Sequence, residues 1–260
     1  MTRSVWLDDE WAAPARSVWL DGDWVSLSVA GYIGAVLGDT PAAFWGCQDA
    51  SGGLVDAIAG RNASEYGTGT ITYRAAGPGG LYAVEMPGTG GKSFSVPDND
   101  LWSSTSFTAE ALVYLDASFG TNQRFWIAKH DSGGSNFHEW FGILYSGTYK
   151  VYNQVTRSPT TADYLLNDAA SGLTTGAWYH LAITYDNATT TLKSYVNGVE
   201  KASDSTTNGS RKSNSPGDLY IGYLSGIPSD EAWKGRLSCV AFYDRALSGA
   251  EVLAHYGAMS

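Results

Sequence analysis

Apolar and polar residues alternate most regularly between Trp178 and Val199. Tyr179, Leu181, Ile183 and Tyr185 interleave with His180, Ala182 and Thr184, the two-residue period of a strand that buries one face. The run breaks at Asp186-Asn187-Ala188-Thr189, where Asp and Asn side chains fold onto the local backbone and tolerate turn dihedrals. A second arm follows with Leu192, Tyr195 and Val196 apolar. It ends at Asn197-Gly198, a pair suited to a type I′ turn because that turn needs positive φ at both positions. The pattern predicts a hairpin and the start of a third strand.

The same reasoning, taken along the chain, predicts a short helix or turn over Gly31–Leu37 and a first sandwich strand over Ala43–Cys47. Residues 48–80, rich in Gly, Ala, Asp and Asn, read as loop with one short strand near Ile71–Tyr73. Leu81–Met86 and Lys92–Val96 form the next pair of strands, with Pro87-Gly88 between them. Phe107, Ala109, Ala111, Val113 and Leu115 alternate cleanly enough to mark a central strand. Arg124–Lys129, His138–Tyr145, Thr148–Val155 and the shorter Ala162–Leu166 continue the series. Ser248–Tyr256 reads as a helix: Ser248 at the N-cap and Glu251 at N3 make a capping box, and Leu247, Val252, Leu253 and Tyr256 supply an apolar face.

Residues 1–28 stand apart from residues 29–260. The segment from Ser4 to Trp11 recurs from Ser17 to Trp24, so that Trp6 and Trp11 in the first copy match Trp19 and Trp24 in the second. Each copy is a small hairpin flanked by Trp, the second with Asp21-Gly22 at its turn. An isolated hairpin is marginal in water. These indoles therefore need a partner surface, either the chain's own sandwich or a larger assembly. Short Trp-x-Asp-Gly-x-Trp-Val units resemble the anchoring segments of bacteriophage tail and surface proteins, which favours the assembly.

The run "AWYHLAITYDNATTTLKSYVNGVEKAS", with "GDLYIGY" at 217–223 and "WKGRLSCVAFYDRALSGAEVLAHYGA" at 233–258, resembles the laminin G-like domains of the concanavalin A-like lectin superfamily. Upstream, "VLGDTPAAFWGCQDASGGLVDAIAG" at 36–60 and "SFTAEALVYLD" at 106–116 resemble the first and central strands of that family. The resemblance implies an all-β jelly-roll sandwich of two antiparallel sheets with a short C-terminal helix. It also makes neighbours of the strands that carry Cys47 and Cys239, so these are either a disulfide or two half-buried thiols. It supplies no ligand.

Apolar residues make up 43% of the chain and aromatics 13%, and Gly is abundant, which suits short strands joined by tight turns. The net charge of −10 opposes binding to nucleic acid and to anionic membranes, since both draw their affinity from Lys and Arg. No apolar run approaches the roughly 20 residues of a membrane span. The N-terminus carries acidic residues and Trp where a secretion signal has a basic start and an apolar segment, so no export signal is expected.

Enzymes of this fold that cleave glycans place carboxylates along one strand as Glu-x-Asp-x-x-Glu, and no such run occurs here. Four histidines, His130, His138, His180 and His255, lack metal-ligand spacing. No catalytic residue is expected. Calcium is the candidate cofactor, because the resemblance implies a cation at a sandwich edge and calcium takes roughly six to eight oxygens. Asp49 and Asp56 after the first strand, and Asp98 and Asp100 in a later turn, are the candidate ligands. Against it, Ser238 stands where the family often has Asp.

Sugar-binding sandwiches stack an exposed aromatic ring on a pyranose. Trp126, Trp140, Tyr145, Tyr149 and Tyr152, with Tyr164 beside them, are the candidates, and the His130–His138 loop is their rim. The expected function is that of a non-enzymatic virion surface protein, a bacteriophage capsid decoration or tail protein assembled in the host cytoplasm. Its arm would bind capsid or tail proteins, its sandwich would face outward toward cell-surface glycans, and it would form a homo-oligomer. The alternative is a stand-alone carbohydrate-binding lectin, with calcium as a candidate requirement; a glycan-active enzyme ranks third.

Overall fold

A computed structural model describes residues 17–20, 23–97, 100–130, 138–156, 163–167, 171–205, 211, 217–223 and 228–259. Strands β1 (Ser17–Leu20) and β2 (Asp23–Ser26) pair in a sheet of their own, and α1 (Leu27–Gly38) follows at once. Next come β3 (Ala43–Trp45), β4 (Ser64–Tyr66), β5 (Thr72–Ala76), β6 (Tyr82–Pro87) and β7 (Ser93–Val96). The middle of the chain forms β8 (Phe107–Leu115), β9 (Arg124–His130), β10 (His138–Tyr145), β11 (Tyr149–Thr156) and β12 (Asp163–Asn167). The last strands are β13 (Ala177–Asp186), β14 (Thr191–Val196), β15 (Val199–Ser205), β16 (Leu219–Ile221) and β17 (Lys234–Tyr243), before α2 (Gly249–Gly257).

These strands build two antiparallel sheets. One has seven strands in the order β12-β11-β10-β9-β16-β7-β4; the other has eight, β15-β14-β13-β8-β17-β6-β5 with β3 paired to β17. The hairpin predicted from alternation is β13–β14, and Asn197 and Gly198 turn it into β15 with φ of 51° and 73°. Phe107, Ala109, Ala111, Val113 and Leu115 of β8 face the inter-sheet core with Trp45, Trp102, Trp126 and Trp233. A second cluster covers the outer face of the eight-stranded sheet, where Tyr32 and Val36 of α1 and Val252 of α2 pack on Leu112, Ala182 and Tyr243.

Several expectations change. The segments around Pro87-Gly88 are consecutive but do not pair: β6 lies in the eight-stranded sheet and β7 in the other. Gly88, Gly90 and Gly91, all at positive φ, carry the chain across the sandwich edge. The loop of residues 48–80 holds a strand, β4, that its polar composition concealed. Helix α1 begins at Leu27, four residues before the Gly31 start expected for it. Leu253 of α2 is 52% exposed, while His255 takes the buried position on that helix. Cys47 packs in the inter-sheet core and Cys239 in the outer cluster, so their side chains lie on opposite faces of the sheet and both thiols are free.

Glu110 on β8 is fully buried beneath the helices. Its carboxylate accepts from Tyr243 Oη at 2.6 Å, His180 Nε2 at 2.9 Å and His255 Nδ1 at 3.0 Å. His255 also points Nε2 at Asp39 Oδ2, 2.9 Å away just past α1. A neutral imidazole has a single N–H, so both bonds require the imidazolium. Burial alone would raise Glu110, but the hydrogen bonds from His180 and His255 and the positive charge beside it bring it down to about 2. Burial pulls His255 down; hydrogen bonding and charge from Glu110, then Asp39, outweigh it and leave the imidazole above its ordinary value.

The two shifts set a pH window. A lowered Glu110 contributes stability that is complete above its unfolded value of 4.5 and is lost as pH falls toward about 2. A raised His255 contributes stability that is complete below its unfolded value of 6.5 and is lost as pH rises through the folded value. The urea midpoint is therefore expected to be highest between those two unfolded values and to fall on both sides. His255→Gln should lower stability by about 3–5 kcal/mol, because it leaves Glu110 a less compensated buried charge, and should abolish the alkaline decline. A wild-type midpoint that stays flat well into the alkaline range would contradict this assignment.

Candidate functional site

The outer face of the seven-stranded sheet lies on the side of the sandwich away from both helices. Trp140 of β10 and Tyr152 of β11 stand there together, half-buried, with ring centroids 6.5 Å apart and planes inclined by 36°. Both pack on Phe125 and Ala128 of β9, with Phe125 5.9 Å from Trp140 and 6.4 Å from Tyr152. Register creates the grouping: Trp140 pairs with Ala128, and Gly142 pairs with Phe125 on one side and Tyr152 on the other. A Cβ on Gly142 would stand 2.2 Å from the Arg124 carbonyl oxygen, so the two strands approach this closely only over glycine.

The same transverse row continues from Ala128 to Tyr220 of β16. Tyr220 meets Tyr66 of β4 edge-on at 5.1 Å, and Tyr223 lies 6.4 Å from each of them. Tyr66 is the exposed member of the three.

A polar rim borders Phe125. Asn122 Nδ2 donates to Asp230 Oδ2 and Gln123 Nε2 to Glu231 Oε2, each at 2.8 Å. Arg124 fixes this corner by donating to the carbonyls of Phe119 at 2.7 Å, Gly88 at 3.1 Å, and Ala232, whose backbone bridges to Phe125. Burial raises Glu231 above the usual carboxylate range. Burial and then the Glu231 charge push the Tyr152 phenol up; at Tyr223 burial, Tyr66 and Glu231 act in that order. Apolar rings beside planar amides and carboxylates form a surface suited to a ligand with both C–H faces and hydroxyl groups.

Of the five aromatic residues expected from sequence, only Trp140 and Tyr152 come together on this face. Trp126 is 2% exposed and belongs to the inter-sheet core, which removes it as a stacking platform. Tyr145 and Tyr149, 5.0 Å apart, sit at the turn end of β10 and β11. Tyr149 packs against the inter-sheet core and donates its hydroxyl to Gly120 O at 3.0 Å. Residues 131–137 of the expected rim lie outside the described residues, and only the backbone of Tyr164, on β12, is described. Phe125, Gln123 and Glu231 escaped the sequence reading; no local signal marked Phe125, because the register shift that sets it on the same face as Ala128 does not show in the sequence.

Of the expected calcium ligands, Asp49 and Asp56 have described side chains. Asp56 is buried, and its two oxygens accept from the backbone N–H groups of Phe44, Ile58, Ala59 and Arg61 at 3.0–3.2 Å. Those donors turn positive partial charge onto the atoms that a cation would need, so the residue fits a turn brace and not a metal ligand. Asp49 Oδ2 accepts from Val55 N at 3.4 Å. Asp98 lies outside the described residues, and Asp100 begins a 3₁₀ turn, Asp100–Ser103. Among the described residues no group of three or more His, Cys, Asp or Glu side chains is placed to hold a metal. Trp6 and Trp11 also lie outside the described residues; Trp19 and Trp24 are backbone register partners in the β1–β2 ladder.

The sequence profile of the concanavalin A-like lectin/glucanases superfamily, in its laminin G form, matches residues 88–253. The chain belongs to that superfamily. A search of the curated proteins finds no significant match to this concanavalin A-like domain. Its fold is similar to domain 4 of AbnA, a GH43 extracellular arabinanase from Geobacillus stearothermophilus, solved in complex with arabinotriose. The identity is 21% and the TM-score 0.62, over 83% of this chain and 97% of that one. It is also similar to the receptor-binding domain of botulinum neurotoxin mosaic serotype C/D, at 14% identity and TM-score 0.63 over 84% of this chain and 51% of that one. The binding domain of Paraclostridial Mosquitocidal Protein 1 matches at 16% identity and TM-score 0.60, over 85% and 52%. The chain thus spans about half the length of those toxin domains, and at these identities the likeness is one of fold.

Because Asp56 braces its loop through four backbone donors, Asp56→Ala should cost about 2–3 kcal/mol in urea unfolding. The loss should be the same with added calcium and with chelator. A wild-type midpoint that rises with calcium and falls with chelator would return the acidic loop to the metal reading.

Proposed function

We propose that this domain is a non-catalytic carbohydrate-binding module whose ligand lies across Trp140 and Tyr152 on the outer face of the seven-stranded sheet. The observation that carries the reading is the half-exposed Trp140–Tyr152 pair held on Phe125, with the amides of Asn122 and Gln123 and the carboxylates of Asp230 and Glu231 at its edge. Indole and phenol rings offer apolar area of fixed geometry to the C–H face of a sugar, and the rim offers donors and acceptors to its hydroxyls. The arabinotriose bound by domain 4 of the arabinanase supports the same ligand class for a chain of this fold.

Segment 1–28 attaches this module to a larger assembly, a capsid or tail on a virion surface, in the finer form of the proposal. Its support is the Trp repeat and the β1–β2 hairpin, whose ladder is separate from both sandwich sheets.

Two experiments test these readings. Titration calorimetry with neutral oligosaccharides, arabinotriose and cellotriose among them, should detect binding, and Trp140→Ala with Tyr152→Ala should weaken it at least about tenfold, or 1.4 kcal/mol, in a variant whose circular dichroism shows it folded at the titration temperature. Absence of binding across a glycan array, or affinity untouched by the double substitution, would remove the proposed site. For the arm, light scattering should find the full chain oligomeric and a chain starting at Leu27 monomeric and equally stable. Two stable monomers would end its role in self-association.

A further inference from the structure

The row of outer-face residues that starts at Trp140 runs on across the seven-stranded sheet. Trp140 pairs with Ala128 of β9, Ala128 with Tyr220 of β16, and Tyr220 with Ser95 of β7. In that row only the Ala128 methyl group stands between the indole and the Tyr220 phenol. Past β7 lies β4, whose Tyr66 pairs with Ser93 and shares this face. Tyr66 reaches back over the row, and its ring comes within 5.1 Å of Tyr220.

Tyr66 repeats the construction of the Trp140–Tyr152 pair. It is 40% exposed, whereas Tyr220 and Tyr223 behind it are 8% and 7% exposed. Tyr220 meets the ring edge-on, and Tyr223 stacks on it at 6.4 Å with planes 24° apart. Tyr223 is held in turn against Gly91, at φ 62°, where a Cβ would stand 3.2 Å from the phenol ring. An exposed ring backed by buried ones gives up little rotamer freedom when a ligand settles on it. Its face offers a sugar the same apolar area as the first pair does.

Polar groups accompany the row. Ser95 Oγ donates to Asp218 Oδ2 at 2.6 Å, which sets a carboxylate beside Tyr220. Burial is the main cause of the raised phenols of Tyr152 and Tyr223, and the Glu231 charge adds to it at each. One carboxylate therefore lies within electrostatic reach of both aromatic groups. Four strand spacings separate β10 from β4, roughly 19 Å at about 4.8 Å each, and Tyr152 on β11 lies one strand further back. An extended trisaccharide does not cover that distance.

We infer that the ligand is a linear neutral oligosaccharide longer than a trisaccharide, laid across the strands from Tyr152 and Trp140 to a second stacking position on Tyr66. The assignment rests on the proposed Trp140–Tyr152 site and adds to it a direction and a minimum length.

The test is titration calorimetry of the full chain with cello- and arabino-oligosaccharides, each from the trisaccharide to the hexasaccharide. In a series that binds, affinity should rise at least about tenfold from trisaccharide to hexasaccharide, more than the additional binding registers of a longer chain supply. In Tyr66→Ala the trisaccharide should bind as it does to the wild type, which also shows the variant folded, while the hexasaccharide falls to the level of the trisaccharide. Tyr66→Phe, which keeps the ring, should keep the gain with length. Equal affinity for trisaccharide and hexasaccharide, or a gain that survives Tyr66→Ala or is lost in Tyr66→Phe, overturns the extended site. Where trisaccharide binding is still abolished by Trp140→Ala with Tyr152→Ala, the extension falls alone; where no member of either series binds, the first site falls with it.

Discussion

A carboxylate buried in the middle of a sheet has to be paired, and Glu110 on β8 organises one side of this sandwich through that requirement. Its partners come from β13, β17 and α2, and the His255 that reaches it from α2 is held on its other nitrogen by Asp39 beyond α1. Removing the helices would take His255 from the carboxylate and uncover His180 and Tyr243 beside it. The polar centre and the apolar cluster around Tyr32, Val36 and Val252 therefore fix both helices on the outer face of the eight-stranded sheet. The outer face of the seven-stranded sheet is left without them, which is why Trp140 and Tyr152 remain half-exposed there while Tyr32 and Tyr243 near Glu110 are buried.

Strand parity then sorts the aromatic residues of β9 to β11 into two populations. Trp140, Tyr152 and Phe125 take the outer parity, whereas Phe141, Ile143 and Val151 take the core. The sorting is interrupted between Phe141 and Gly142, where the register with β9 shifts and both Trp126 and Ile127 enter the core. A shift of this kind moves a side chain from one face to the other, and nothing in local composition announces it. It is the physical reason that Trp126 looked like a platform and is a core residue.

What could be read in the sequence follows the same logic. The hairpin at β13–β14, the central β8 and the capped α2 were legible because their signals are local: alternation, Asn-Gly at a turn, and Ser248 with Glu251 at a helix start. The pairing of β6 was not, because Pro87-Gly88 has the same local appearance in a hairpin turn and in a crossing between sheets. Asp56 illustrates the limit for sites. Its loop composition suits a cation and a turn equally well, and only the direction of four backbone N–H groups decides between them. Glu231 and Gln123 are far apart in sequence and meet through the loops that Arg124 ties to Ala232, so no spacing rule could have joined them.

The packing beneath Trp140 and Tyr152 bears on how the proposed site would work. An exposed ring on a mobile side chain loses rotamer freedom when a ligand settles on it, and that cost subtracts from affinity. Here Phe125 lies under both rings, and Gly142 lets β9 and β10 approach closely enough to keep it there. The rings are thus preorganised by a residue that need not touch the ligand. The acidic rim works with the same economy of charge. On a chain of net charge −10, carboxylates such as Asp230 and Glu231 repel an anionic glycan, while their pairing with Asn122 and Gln123 sets the planar groups in fixed directions. Selection for a neutral, hydroxyl-bearing ligand would then arise as much from what the rim repels as from what the rings hold.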